Sequence, residues 1–194
     1  MLKKPLAAKA EPVPYRFTVK EWHRLGEAGL FEESDRVELL DGEIIIMSPM
    51  GNRHAFAVVN LIDLFGENNR RRFLVAAGNP VEADNHSEPL PDLMLLPRSH
   101  KNAKRHPISR EVNLIVEVAE SSLTHDRGRK LRKYAKTGVP EYWIVNLKQD
   151  VLEVYRAAKG EEYLDQTVAK IGDTISPQGF PDIAVAVSEI IPPR

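Results

Sequence analysis

Leu114-Ile-Val-Glu-Val-Ala119, then Asp126, Lys130 and Tyr134 at four-residue steps, then Gly138-Val-Pro-Glu-Tyr-Trp-Ile-Val145 is the stretch that decides the fold. An apolar run broken by a single acid, Glu117, reads as a buried central strand. The residues after it share one face at helical spacing, and Gly138 with Pro140 stops that helix. Glu141-Tyr-Trp-Ile-Val-Asn146 is a second strand. Strand, helix and strand in this order predict an α/β fold: a mixed β-sheet flanked by helices.

Working outward, Arg36-Val-Glu-Leu-Leu40 and Glu43-Ile-Ile-Ile-Met47 flank Asp41-Gly42, a strong short-range signal for an N-terminal β-hairpin. Ser48, Pro49 and Gly51 break the second strand. Val58, Leu61, Ile62 and Phe65 recur at helical spacing and predict a helix over about 53–68. Thr18 and Glu21 have the spacing of a capping box, which predicts a short helix to about Ala28. Further strands are predicted at 73–77, 81–83, 92–96, 151–155 and 182–187, with Gln149-Asp150 in a turn. Residues 1–14 read as a flexible tail without periodicity, and 15–194 as one domain.

The charge is nearly balanced, with 27 Lys and Arg against 28 Asp and Glu, so an anionic partner would need a local basic patch. Arg70, Arg71 and Arg72 are consecutive, and Arg127, Arg129, Lys130, Arg132, Lys133 and Lys136 crowd one helix. Such clusters suit phosphate contacts, although on their own they more often form a solvated face. The absence of cysteine removes disulfides, thiolate metal sites and cysteine nucleophiles, and fits a cytoplasmic setting. No apolar run is long enough to span a bilayer, and the N-terminus lacks the apolar core of a signal peptide.

Two acids stand out. Asp92 opens an apolar strand directly after Pro91, and Glu117 sits inside one. If the strands are neighbours, the carboxylates can converge on a hard cation such as Mg²⁺. The bland alternative is a loop-capping Asp and an internally paired Glu. Likewise, spacing alone makes Asp126–Lys130 a surface pair worth about 0.3–0.5 kcal/mol. An exposed Lys130 could be replaced within about ±0.5 kcal/mol of stability. His54 could lie near the site, but a histidine at a helix start is more often a capping or surface residue. His100, His106 and His125 lie in polar surroundings, and no His pair has zinc-ligand spacing. Ser121 and Ser122 near His125 lack an oxyanion-hole turn, and no phosphate loop or dinucleotide fingerprint is present.

Pro91-Asp92, Glu117-Val118-Ala119, Asp126-x3-Lys130-x3-Tyr134 and Gly138 to Val145 together resemble the Uma-type restriction-endonuclease family of the PD-(D/E)xK nuclease superfamily. Arg36-Val-Glu38-Leu-Leu-Asp41-Gly42-Glu43 and Ser48-Pro49…Arg53-His54 resemble its N-terminal signature. The likeness runs from about residue 16 to about residue 157. It implies a restriction-endonuclease-like fold and a Mg²⁺-dependent endonuclease acting on DNA, with Mn²⁺ as a substitute ion. Asp92 and Glu117 would be the metal carboxylates, Lys130 the catalytic lysine and Glu38 a third acid. The superfamily's lysine position two residues after Glu117 holds Ala119, so Lys130 of the following helix takes that place. The resemblance implies no membrane partner and leaves homo-oligomerisation open. Two rival readings stand beside it: a non-catalytic nuclease-fold binding or assembly protein, and a metal-dependent hydrolase of small phosphoesters.

Overall fold

Helix α1 (Val19–Glu27) begins at the capping box: Thr18 Oγ1 accepts the Glu21 backbone N–H, and Glu21 accepts the Thr18 backbone N–H in return. The computed structural model describes residues 13–32 and 35–194, so the tail expected at 1–14 lies, up to residue 12, outside the described residues. Strands β1 (Val37–Leu40) and β2 (Glu43–Ile46) form an antiparallel hairpin. Asp41 and Gly42 both take positive φ, 53° and 75°, the two-residue turn that matches strand twist. A side chain on Gly42 would also collide with Arg16, whose Cβ would lie 2.7 Å from it.

Helix α2 (Asn52–Asn68) leads into the main sheet, built from β3 (Phe73–Ala77), β4 (Leu93–Pro97), β5 (Leu114–Ala119), β6 (Glu141–Asn146), β7 (Val151–Lys159) and β8 (Glu162–Lys170). The six strands lie in sequence order, antiparallel except for the parallel β5–β6 pair. A parallel pair needs a crossover, and helix α3 over residues 123–137 supplies it. Gly138 at φ 84° caps α3 in the left-handed conformation. Short strands β9 (Thr174–Ile175) and β10 (Val185–Ala186) and a final turn α4 (Val187–Ile190) close the chain. This is the mixed sheet, flanked by helices and preceded by a hairpin, that the sequence predicts.

Strand β5 is buried at every position, so its alternation sorts residues between two cores. Val116 and Val118 pack with Leu61, Phe65 and Trp143 under α2, while Ile115 and Ala119 pack with Tyr134, Tyr142 and Ile144 under α3. Glu117 shares the parity of the α3 side. No helix among the described residues is long and apolar enough to cross a membrane.

Four local features depart from the sequence reading. Residues 81–83 form no strand, only a bridge from Glu82 to Ile108, because Val81 and Glu82 spend their N–H groups on the loop carbonyls of Pro89 and Pro107. Strand β8 is absent from the sequence reading, since its outward edge residues blur the alternation. The strand expected at 182–187 shrinks to β10, and α4 begins at Val187. On α2, Ile62 is exposed, and the buried stripe is Ala57, Leu61, Leu64 and Phe65.

Glu141 anchors the β6–β7 end of the sheet. It is fully buried and accepts the Trp143 indole N–H at 2.8 Å, the Arg156 guanidinium at 2.6 Å and the Gln178 N–H at 2.6 Å. Removing its cation strands the carboxylate. Arg156→Met should therefore lower stability by about 3 kcal/mol, read as a shifted denaturant midpoint by tryptophan fluorescence. A shift under about 0.5 kcal/mol would mean that Glu141 needs no cation.

Candidate active site

Asp92 and Glu117 are brought together by strand register. Leu93 pairs with Val116 in the antiparallel β4–β5 ladder, so the next pair sets Asp92 opposite Glu117. Asp92 Oδ2 accepts the Val118 N–H at 2.8 Å and lies 3.0 Å from His54 Nε2. His54 is therefore a buried partner of Asp92, not the surface or capping histidine its position suggests. Its Nδ1 has no hydrogen-bond partner among the described residues. Arg36 approaches Asp92 Oδ1 at 3.6 Å.

Helix α3 reaches this point through a π turn at Asp126–Lys130, a distortion frequent at functional sites. Lys130 is only 2% exposed, so the surface-pair reading is wrong, and so is the idea that the residue can be removed harmlessly. Lys130 Nζ lies 2.9 Å from Glu117 Oε1 and 3.0 Å from Glu38 Oε2, and Tyr134 donates its hydroxyl to the same Glu117 oxygen at 3.0 Å. Both Glu38 oxygens are committed: one to Lys130 and the Leu90 N–H, the other to His125 Nε2 at 3.3 Å. Glu38 thus holds Lys130. By contrast, among the described residues no donor reaches hydrogen-bonding distance of Asp92 Oδ1 or Glu117 Oε2.

Acids outnumber bases here. Burial pushes the Glu117 carboxyl well above the usual carboxylate range; Lys130 pulls it down, while Asp92, Asp126 and Glu38 push it further up. Burial raises Asp126 as well, against the pull of Lys130 and a 2.5 Å hydrogen bond from Ser122. Burial would raise Glu38 too, but Lys130, His125 and the Leu90 N–H outweigh it and hold its carboxyl at about 2. Burial opposes the charge on Lys130, yet Glu117, Glu38 and Asp126 outweigh it, so the ammonium is raised above its ordinary range. His54, Asp92, Glu117, Asp126 and Lys130 line a cleft of about 290 Å³, together with the apolar Ile45, Met47, Pro49 and Met50.

Sequence reasoning named Asp92, Glu117, Lys130 and Glu38, and all four meet here. It weighed His54 as a neighbour of the site but favoured a capping or surface role, and it did not count Asp126 among the site residues. His54 had its signal in the Arg53-His54 signature, and Asp126 in its four-residue step to Lys130. Three cations on the basic face of α3 have partners within the protein. Arg127 pairs with Glu153, Arg129 with Glu43 and Asp41, and Lys133 with Asp41 and Asp84. Those cations tie α3 to strand β7, to the hairpin and to the segment before β4.

A model of the Uma2 family, described as "Putative restriction endonuclease", matches residues 19–188. A search of curated proteins returned no match. A solved structure of "a putative nuclease belonging to DUF820" from Anabaena variabilis ATCC 29413 superposes with a TM-score of 0.70 at 13% identity, covering 90% of this chain and 97% of the other. That identity carries the fold alone. Because the family model spans most of its length, the chain belongs to the Uma2 family.

Proposed function

We propose that the cleft is the active site of a Mg²⁺-dependent endonuclease that hydrolyses DNA phosphodiester bonds, with Mn²⁺ able to replace Mg²⁺. The observation that carries this reading is Lys130 Nζ at 2.9 Å from Glu117, in a cleft where Asp92 and Glu117 each keep one oxygen outside hydrogen-bonding distance of the described donors, with Arg36 3.6 Å from that of Asp92. Two carboxylate oxygens are the hard, anionic kind of donor that Mg²⁺ prefers. Asp92 and Glu117 would hold the ion; when bound, it supplies neutralising charge on a phosphoryl oxygen and a more acidic water.

The protein's own groups have distinct tasks. Lys130 stays an ammonium at neutral pH, since its pKa is raised, so it cannot serve as a general base. It donates to an anionic oxygen and stabilises charge that develops on it. Glu38 fixes the position of Lys130, and Tyr134, whose hydroxyl is kept protonated by burial and by Glu117, fixes Glu117. His54 orients Asp92. Family membership supports nuclease chemistry as the class.

A second reading, hydrolysis of a small phosphoester, draws on two observations. The cleft volume of about 290 Å³ suits a small ligand, and the arginines of α3 are tied to acids of the protein itself.

Asp92→Asn is the cleanest test, because its amide oxygen still accepts the Val118 N–H. We expect DNA cleavage in Mg²⁺ or Mn²⁺ to fall about 10²–10³-fold with the fold intact, matching the loss of several kcal/mol of charge stabilisation. Equal rates in variant and parent would remove Asp92 from the site. A parent that cleaves only small phosphoesters would favour the second reading, and one that binds the ion but cleaves nothing would favour an assembly role.

Stability gives an independent check. Glu117 is raised, so folding favours its protonated form and metal-free stability falls as pH rises past the unfolded carboxylate pKa. Glu117→Gln keeps an oxygen for Lys130 and Tyr134 but removes the charge. In chelator at pH 8 it should melt at least about 2 °C above the parent, the shift of roughly 1 kcal/mol at this chain length. The gap should close towards pH 5. A variant that melts lower than the parent at pH 8 would mean that the Glu117 charge is structural.

A further inference from the structure

A second cluster lies apart from the first, in a different cleft that shares no lining residue with it. His23 comes from α1, Glu88 from the segment between β3 and β4, and His106 from the loop before β5. They are far apart in sequence, which is why no zinc-type spacing betrays them. His23 Nε2 lies 2.8 Å from one Glu88 oxygen and His106 Nδ1 lies 2.6 Å from the other. All three ligand atoms fall within 4.8 Å of one another.

Glu88 is what makes the cluster more than a hydrogen-bonded trio. It is 3% exposed, and a carboxylate that deep is costly unless a cation accompanies it. Every other buried glutamate has one: Lys130 for Glu38 and Glu117, Arg156 for Glu141, Arg127 for Glu153. Among the described residues Glu88 meets only histidines. Its backbone N–H is bonded to Leu39, which fixes the carboxylate at the cleft floor. The two imidazoles lie roughly at right angles to each other, each side chain 45% exposed, so the cluster borders solvent.

We infer that His23 Nε2, His106 Nδ1 and the Glu88 carboxylate form a binding site for a borderline divalent cation of the Zn²⁺ type, with the exposed side of the cluster left for water. Two nitrogens and one carboxylate are the donor set such ions take with three protein ligands. Ligand bonds of about 2.0–2.2 Å need only a small opening of the present contacts. The donor set differs in kind from the all-oxygen pair of Asp92 and Glu117, so the ions sort by chemistry: Zn²⁺ here, Mg²⁺ there. Bound metal would tie α1 to the two connecting segments.

The test is titration of tag-free, chelator-stripped full-length protein with Zn²⁺ by calorimetry, and with Co²⁺ by visible absorption, in excess Mg²⁺. One equivalent should bind, with Co²⁺ bands of a low-coordinate nitrogen-containing site. His23→Ala and His106→Ala should each weaken Zn²⁺ at least about tenfold, since even removal of outer partners of ligands costs that much. Asp92→Asn should leave this affinity unchanged. Both histidines are half-exposed, so unchanged melting of the metal-free variants verifies that they fold. No Zn²⁺ binding by the parent, or binding that survives both histidine variants, would overturn the inference. Zn²⁺ affinity lost in Asp92→Asn alone would do the same, whatever DNA cleavage shows.

Discussion

The ammonium of Lys130 is the charge around which the structure is arranged. It reaches Glu117 on the central strand and Glu38 on the hairpin, so one buried cation joins helix, sheet and hairpin. Removing the one cation that serves several buried acids costs about 3–5 kcal/mol, a large part of a typical total of 5–15 kcal/mol. Lys130 is therefore both the candidate catalytic cation and a structural tie. A lost activity on its removal would not separate the two roles, whereas a carboxylate-to-amide change at Asp92 or Glu117 would. Arg129 is no neutral neighbour either, because its guanidinium holds Glu43, Asp41 and the Leu40 carbonyl.

Local signals carried most of the fold. The Thr18/Glu21 box, the Asp41-Gly42 turn, the Gly138 stop and the apolar runs of β5 and β6 depend on a few adjacent residues, and each does in the structure what its chemistry requires. Strand β8 was illegible because it is an edge strand. Leu164 and Val168 face solvent at 65% and 49% exposure, so apolar and polar residues no longer sort by parity. Residues 81–83 have strand-like composition, but their N–H groups go to loop carbonyls, a tertiary outcome that no local pattern encodes.

The candidate site divides the same way. Glu117 was conspicuous because an acid inside an apolar strand needs a reason, and Asp92 because it abuts one. That the two stand opposite each other depends on the β4–β5 register, which neither strand states alone. Lys130 read as a surface residue because i, i+4 spacing cannot tell which face of a helix is covered. His54 and the partners of Arg127, Arg129 and Lys133 were hidden for the same reason. Each contact spans dozens of residues, and a charged residue's sequence neighbours say little about which opposite charge it meets in space.

The balance of charge within the cluster separates structure from function most sharply. Glu38 and Lys130 form a sufficient pair. Glu38 is held at about 2, below its ordinary 4.5, so it stabilises the fold above the ordinary value and loses that contribution only as pH falls through about 2. Glu117 acts with the opposite sign, because burial and three neighbouring acids make its ionised form costly in the fold. A purely structural cluster would lose little by carrying glutamine there, since both hydrogen bonds to Glu117 end on one oxygen. The surplus of carboxylate is a cost that the metal-free fold bears without visible return. A divalent cation at the carboxylates of Asp92 and Glu117 would turn that cost into binding energy, which is why the proposed function follows from the imbalance and not from the fold alone.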